Sequence, residues 1–316
     1  MMTRMVMQRI GIGFATLWVV SVIIFVATGI LPGDVAEIVL GQSATPETLA
    51  ALRAELGLDQ PWYIRYFSWL GDMAVGDLGI SKAGGATISS LIGGRLGNTL
   101  MMAGWVAVIS IPISIALGLW AAMHPGTWLD RIVTFGTLSL ISVPEFFIAT
   151  VAVLVLAVQL RWLPSTAYMT GDESFLELMK ALAMPLITLV IVVSAQMIRM
   201  TRAGILNVMS SPYIEMAILK GVPRGRIILR HAFYNAIGPI VNVIALNLAY
   251  LVSGVVIVET IFAYPGLAKL MIDGVQTRDL PLVQACAMIF CGTYVVLILL
   301  ADIGSILSNP RLRNPK

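Results

Sequence analysis

Residues 200–235 read MTRAGILNVMSSPYIEMAILKGVPRGRIILRHAFYN. The stretch separates two apolar runs, and with Arg199 just ahead of it gathers six cations: Arg199, Arg202, Lys220, Arg224, Arg226 and Arg230. In a chain of 316 residues that is 58% hydrophobic and 12% charged, no other region is as basic. Tyr213 to Lys220 has room for two helical turns, closed by Gly221, which suits a helix C-terminus, and by Pro223, which cannot extend one. A basic segment with a short helix, held between membrane spans, is expected to be a surface for a cytoplasmic partner.

The apolar runs on either side set the class. A mean hydropathy of +0.91 excludes disorder and an ordinary soluble domain. About 20 apolar residues cross a bilayer as helix. Six segments reach or approach that length: roughly 10–31, 99–122, 132–160, 181–198, 236–258 and 280–301. The expected fold is therefore an all-α integral membrane protein with six transmembrane helices. With the N-terminus inside, the inner segments hold Arg4, Arg9, Arg131, the six cations above, Arg311, Arg313 and Lys316, which is 12 of the 20 Lys and Arg. Excess Lys and Arg marks the cytoplasmic side, so both termini are read as cytoplasmic. Arg4 and Arg9 precede an apolar run too long for a signal-peptide core, so this segment is read as a retained helix. Cys286 and Cys291 share the sixth span and read as small buried hydrophobes.

The region 32–98 is the one sizeable extramembrane segment. Thr45 is a good N-cap, Pro46 fits the first helical position and Gly57 supplies a stop, which predicts a short helix between them. Trp62 to Met73 is a second amphipathic piece, rich in aromatics that suit a membrane interface. The chain divides into 1–98, the first span with its external helical segment; 99–306, the transmembrane domain containing the basic stretch 200–235; and a cytoplasmic tail, 307–316.

Enzyme signatures are absent. There is no phosphate-binding loop, no nucleophile elbow, no zinc-protease motif and no metal-spaced Cys/His cluster, so catalytic and metal residues are both read as none. Nothing in the chain can hydrolyse ATP, so active transport needs another subunit to supply the energy. Charge inside a bilayer is expensive and usually faces a cavity or a partner helix. Glu145, just after Pro144 in the third span, is the outstanding case. Gln196, Asn242, Asn247, Tyr250 and Ser253 are weaker pathway candidates, each of which can equally be interhelical glue.

The segment Glu215-Met216-Ala217-Ile218-Leu219-Lys220-Gly221 resembles the Glu-Ala-Ala…Gly core of the coupling loop in binding-protein-dependent ABC transporter permeases, with Met216 in place of the first Ala. Tyr213, Ala217, Lys220-Gly221, Arg230-His231-Ala232, Asn235-Ala236 and Pro239 match the flanks of the dipeptide/oligopeptide/nickel subfamily. Gly76-Asp77-Leu78-Gly79, Asn98-Thr99-Leu100, Trp128-Leu129-Asp130-Arg131, Ser142-Val143-Pro144-Glu145-Phe146 and Glu259-Thr260-Ile261-Phe262-Ala263-Tyr264-Pro265-Gly266-Leu267 fit its first permease subunit.

The resemblance implies the type I ABC importer permease fold in a bacterial inner membrane. It also implies the partners: a second homologous permease subunit, two ATP-binding subunits and an extracytoplasmic solute-binding protein, with no nucleic acid. ATP and Mg would be bound by the ATP-binding subunits, leaving no cofactor in this chain. Tyr213, Glu215, Ala217, Lys220, Gly221, Arg226, Arg230 and His231 would couple to the ATPase, and Glu259, Tyr264, Pro265 and Gly266 would form an outer gate or scaffold. The implied cargo is short peptides; nickel chelates, opines, glutathione or another small solute are the alternatives. A secondary transporter would need no basic docking helix and more paired intramembrane charges.

Overall fold

A computed structural model describes residues 2–30, 40, 44–55, 59–169, 173–253 and 255–308. The turn at Leu31 to Asp34, the stop at Gly57 and the tail beyond 308 lie outside the described residues, as do the side chains of Arg224 and Ser253.

The chain is all-helical among the described residues apart from one isolated bridge between Ile80 and Thr87. Among the described residues, five helices are long and apolar enough to cross a membrane: Arg4–Ile30, Ile88–Met123, Phe175–Met209, Ile227–Ile261 and Leu280–Gly304. Two of them, each a single unbroken α-helix, far outrun the expected spans. Ile88–Met123 has 36 residues and Phe175–Met209 has 35. At 1.5 Å per residue each is about 50–55 Å long, well beyond a hydrocarbon core of about 30 Å. Hydropathy finds only the stretch that matches lipid, and the polar ends of both helices escape it.

The third span departs from expectation in a different way. It is two helices, Trp128–Ser142 and Glu145–Gln159, bent by 98° at the break. Pro144 explains the position, because proline disfavours helix for the residue before it and donates no backbone hydrogen bond. Val143 is accordingly extended, with ψ 128°.

Ile88–Met123 and Phe175–Met209 form the most extensive helix pair. Their contact rests on a stripe of small residues at four-residue spacing, Ser110, Ser114, Gly118 and Ala122, all buried. A Cβ on Gly118 would lie 2.7 Å from the Thr201 Cβ, so the backbones meet there with no room for a side chain. Small residues permit this close approach where lipid removes the hydrophobic drive between helices.

The first helix, Met2–Ile30, lies at the edge of the bundle. It packs along Leu280–Ser308, with a smaller contact to Trp62–Ala74. Three polar contacts tie it down: Arg9 to Asp302 at 2.7 Å, Ser21 with Tyr66 at 2.8 Å, and Gln284 Nε2 donating to Thr28 at 2.6 Å. The two extramembrane helices fall where the sequence puts them, at Pro46–Glu55 and Trp62–Ala74. The Thr45 hydroxyl accepts the Thr48 N–H at 3.2 Å, as its N-cap role requires.

Candidate functional site

Three polar groupings stand out, spread along the length of the bundle. The first lies at the basic end. The quoted stretch is mostly helical rather than loop: Phe175–Met209 carries its first ten residues, and the chain first turns at Ser210 and Ser211. A short helix follows, Pro212–Leu219, with Pro212 in its first turn and Glu215 at its positive end. It ends at Lys220 and Gly221. The Val222 N–H donates to the Ala217 carbonyl at 3.1 Å and the Gly221 N–H to the Ile218 carbonyl at 2.9 Å. That pair of bonds, with Gly221 at φ 72°, is a Schellman cap, and the left-handed conformation favours glycine.

Only one side chain of this helix is buried, Ile214. Tyr213, Met216, Ile218 and Leu219 are exposed, Leu219 by 78%. Ala217 and His231 are half-buried, while Glu215, Lys220, Arg226 and Arg230 are exposed. Among the described residues no ion pair within the chain engages these four charges. The helix therefore presents a mixed apolar and charged surface that the chain itself leaves uncovered.

Arg202 is different. Its guanidinium donates two bonds to Asp130, Nε to Oδ1 at 2.7 Å and a terminal nitrogen to Oδ2 at 2.9 Å. The Gly126 N–H adds a third donor at 2.9 Å, and Asp130 is only 4% exposed. Arg202 thus joins the 124–130 turn to the Phe175–Met209 helix and is not a free surface cation. Sequence reading missed this pair, although Asp130 is the one acid in its inner segment. Arg199 is exposed and donates to Gln196 at 3.2 Å.

The second grouping lies about 36 Å along Ile88–Met123 from that end, taking 1.5 Å per residue between Thr99 and Met123. Glu259 is 1% exposed there. It accepts from the Thr99 hydroxyl at 2.8 Å and the Lys269 N–H at 2.9 Å, with a further bond from the Ala268 N–H. The helix Leu267–Gln276 begins at Gly266, which has no side chain to cap it. Glu259 supplies the missing cap from another helix, at the positive end of the dipole. A Cβ on Gly266 would sit 2.1 Å from the Glu259 Oε1, so this position must be glycine for the carboxylate to enter. The knot closes with the Tyr264 hydroxyl on the Asn98 carbonyl at 2.6 Å and the Asn98 amide on the Pro265 carbonyl at 2.9 Å. Glu259, Tyr264, Pro265 and Gly266 are thus brought together, with Asn98 and Thr99 as their partners.

The third grouping is at the break in span three. Glu145 is the first helical residue after Pro144, and one of its oxygens accepts from the Tyr250 hydroxyl. Of the other pathway candidates, Gln196 accepts from Arg199. Asn242 is exposed, and Asn247 donates to its own helix at Val243, 2.8 Å away.

Residues 114–314 match the family of binding-protein-dependent transport system inner membrane components. The chain belongs to that family. Residues 2–94 match the N-terminal model for membrane components of binding-protein-dependent transport systems. Three relatives align with this chain over almost their whole length. A Brucella melitensis chain named as a peptide transport system permease protein is 35% identical over 99% of each chain. A Sinorhizobium fredii chain named as a peptide ABC transporter permease protein is 32% identical over 98% of each. The glutathione transport system permease protein of Escherichia coli is 31% identical over 99% of each. Among the described residues no cluster of His, Cys, Asp and Glu could hold a metal ion.

Proposed function

We propose that this chain is one permease subunit of an ATP-driven importer, forming half of the path by which short peptides cross a bacterial inner membrane. It pairs with a second, homologous permease subunit. Two ATP-binding subunits, which hold ATP and Mg, dock at the cytoplasmic end, and a solute-binding protein delivers cargo at the other. Both termini lie in the cytoplasm. The relatives named for peptide transport support the cargo. Glutathione is the second reading, favoured by the full-length similarity to a glutathione permease.

The observation that carries the coupling role is the uncovered short helix, Pro212–Leu219. It has a single buried anchor and an exposed apolar and charged face. Closure of the ATP-binding subunits around that face moves the helix, and the packed bundle carries the motion inward as a rigid body. The Asp130–Arg202 pair links the 124–130 turn to the helix that precedes the docking element, so both move together.

Replacing Gly221 with Val places a β-branched residue at φ 72° and breaks the cap. Uptake and cargo-stimulated ATPase activity are expected to fall at least tenfold in the reconstituted transporter, with the complex still assembled. Reversal of charge in Glu215→Arg should act in the same direction. Wild-type uptake in both variants would sink the coupling role.

A further inference from the structure

Among the described residues, the buried carboxylates Glu259, Asp130 and Asp279 differ from the half-buried Glu145 in one respect. Glu259 takes three donors, Asp130 takes Arg202 and the Gly126 N–H, and Asp279 takes the Ser81 hydroxyl with the backbone N–H of Ala83 and Leu282 at 3.4 Å. Glu145 has Tyr250 on one oxygen and nothing on the other. Its Oε1 is enclosed by protein and meets no donor, alone among carboxylate oxygens of the described residues.

This half-empty acid sits at the discontinuity of a membrane span, where two helices meet at 98°. It opens the helix Glu145–Ala152, whose positive end favours a negative charge. Both halves of the pair adjoin the central apolar core: Ala149 follows Glu145 by one turn of its own helix, and Tyr250 packs against the core that holds Leu251 and Val252. An ionised carboxylate among such neighbours is costly unless a cation or further donors meet it. Broken helices at mid-membrane are also where transport proteins place substrate groups.

We propose that Glu145 and Tyr250 form a recognition station for a primary ammonium group: Oε1 is sealed in this conformation, and the α-ammonium of the cargo meets it when the transport cycle opens the bundle at the break. Tyr250 holds the carboxylate oriented toward that point and keeps it partnered between cargoes. An ammonium offers three donors in a compact charge, which suits one unpartnered carboxylate oxygen beside a phenol oxygen. A cargo with a blocked amine would leave Glu145 as it is and forfeit the contact. This inference rests on the importer reading and adds to it the chemical group that the pathway selects.

The test uses the assembled permease–ATPase complex in nanodiscs without its solute-binding protein, so that selection by that protein does not enter. Binding of trialanine, N-acetyl-trialanine and n-butylammonium is followed by saturation-transfer NMR. The wild-type complex should prefer trialanine to its acetylated form by tenfold or more. Glu145→Gln should erase that preference and the binding of n-butylammonium. Tyr250→Phe should weaken both amines while keeping the preference. If n-butylammonium binds through Glu145 and trialanine does not, the peptide cargo falls and the ammonium station stands. A preference that survives in Glu145→Gln overturns the station. So does failure of Glu145→Gln to assemble when Glu145→Asp assembles without amine preference, which would make the carboxylate a contact to the partner subunit.

Discussion

The knot around Glu259 and the short helix Pro212–Leu219 lie at opposite ends of the bundle and treat their side chains in opposite ways. At the knot a charged residue is buried and saturated, and Thr99, Lys269 and Ala268 all donate to it. At the short helix apolar residues are exposed, and Ile214 alone is buried. A bundle in lipid gains little from further apolar contact, so its polar groups must be matched internally. A surface meant for another protein is left unmatched. Saturation therefore marks what holds the fold, and unmade contacts mark what the fold offers to others.

The comparison breaks most sharply at Gly266. In Gly266→Ala the added methyl falls within 2.3 Å of the Glu259 carboxylate atoms. The carboxylate must leave the helix N-terminus and lose its donors, or the Tyr264–Leu267 turn must shift. Stranding a buried charge costs on the order of 3–5 kcal/mol. The expected outcome is a large fall in melting temperature in detergent and little recoverable complex. A wild-type melt would remove Glu259 from the cap of Leu267–Gln276.

Gly118 tests packing by size rather than charge. Gly118→Val would drive a branched side chain into Thr201 and the Ile198 carbonyl, 2.7 and 3.1 Å from the added Cβ. Overpacking of this kind costs about 1–3 kcal/mol, read as a smaller loss of melting temperature. Arg202→Lys keeps the charge opposite Asp130 but loses the two-pronged geometry. The expected loss is about 1 kcal/mol, since one charge-assisted hydrogen bond is given up at a partly exposed side chain. An unchanged melt would show that a point charge suffices there.

Much of this division is written locally. Thr45-Pro46-Glu47 announces a helix start, and Gly221 announces a helix end, because caps act within a few residues of themselves. Ser174-Phe175-Leu176-Glu177 is just as local: the structure has a full capping box there, which starts the Phe175–Met209 helix ahead of the apolar run at 181–198. The ends of the two long helices were hidden because hydropathy measures lipid and not helix. Pro144 was readable as a weak point, but a 98° bend follows from how its two halves pack, which no local pattern encodes. The pairs least legible are the long-range ones. Asp130 meets Arg202 across 72 positions and Thr99 meets Glu259 across 160, and nothing in either residue's own neighbourhood names its partner. Glu259 and Gly266 could be flagged as a motif, whereas the reason the glycine is needed appears only when the carboxylate is seen in its place.

The finest test lies within one helix. Ile214 is fully buried and Leu219, five residues on, is 78% exposed. Both are large aliphatic side chains, and the same change to Ser separates fold from function. Ile214→Ser removes the only buried anchor and should cost about 2–4 kcal/mol, by analogy with large-to-small changes in cores, so the helix loses its seat and assembly suffers with it. Leu219→Ser should leave stability within about 0.5 kcal/mol, as substitutions at exposed positions do. If the exposed face is where the ATP-binding subunits press, Leu219→Ser still lowers cargo-stimulated ATPase activity severalfold, with the basal rate and the melting temperature at wild-type values. Should activity follow stability in both variants, the exposed residues of Pro212–Leu219 carry no contact of their own, and the contrast between the two ends of the molecule reduces to burial.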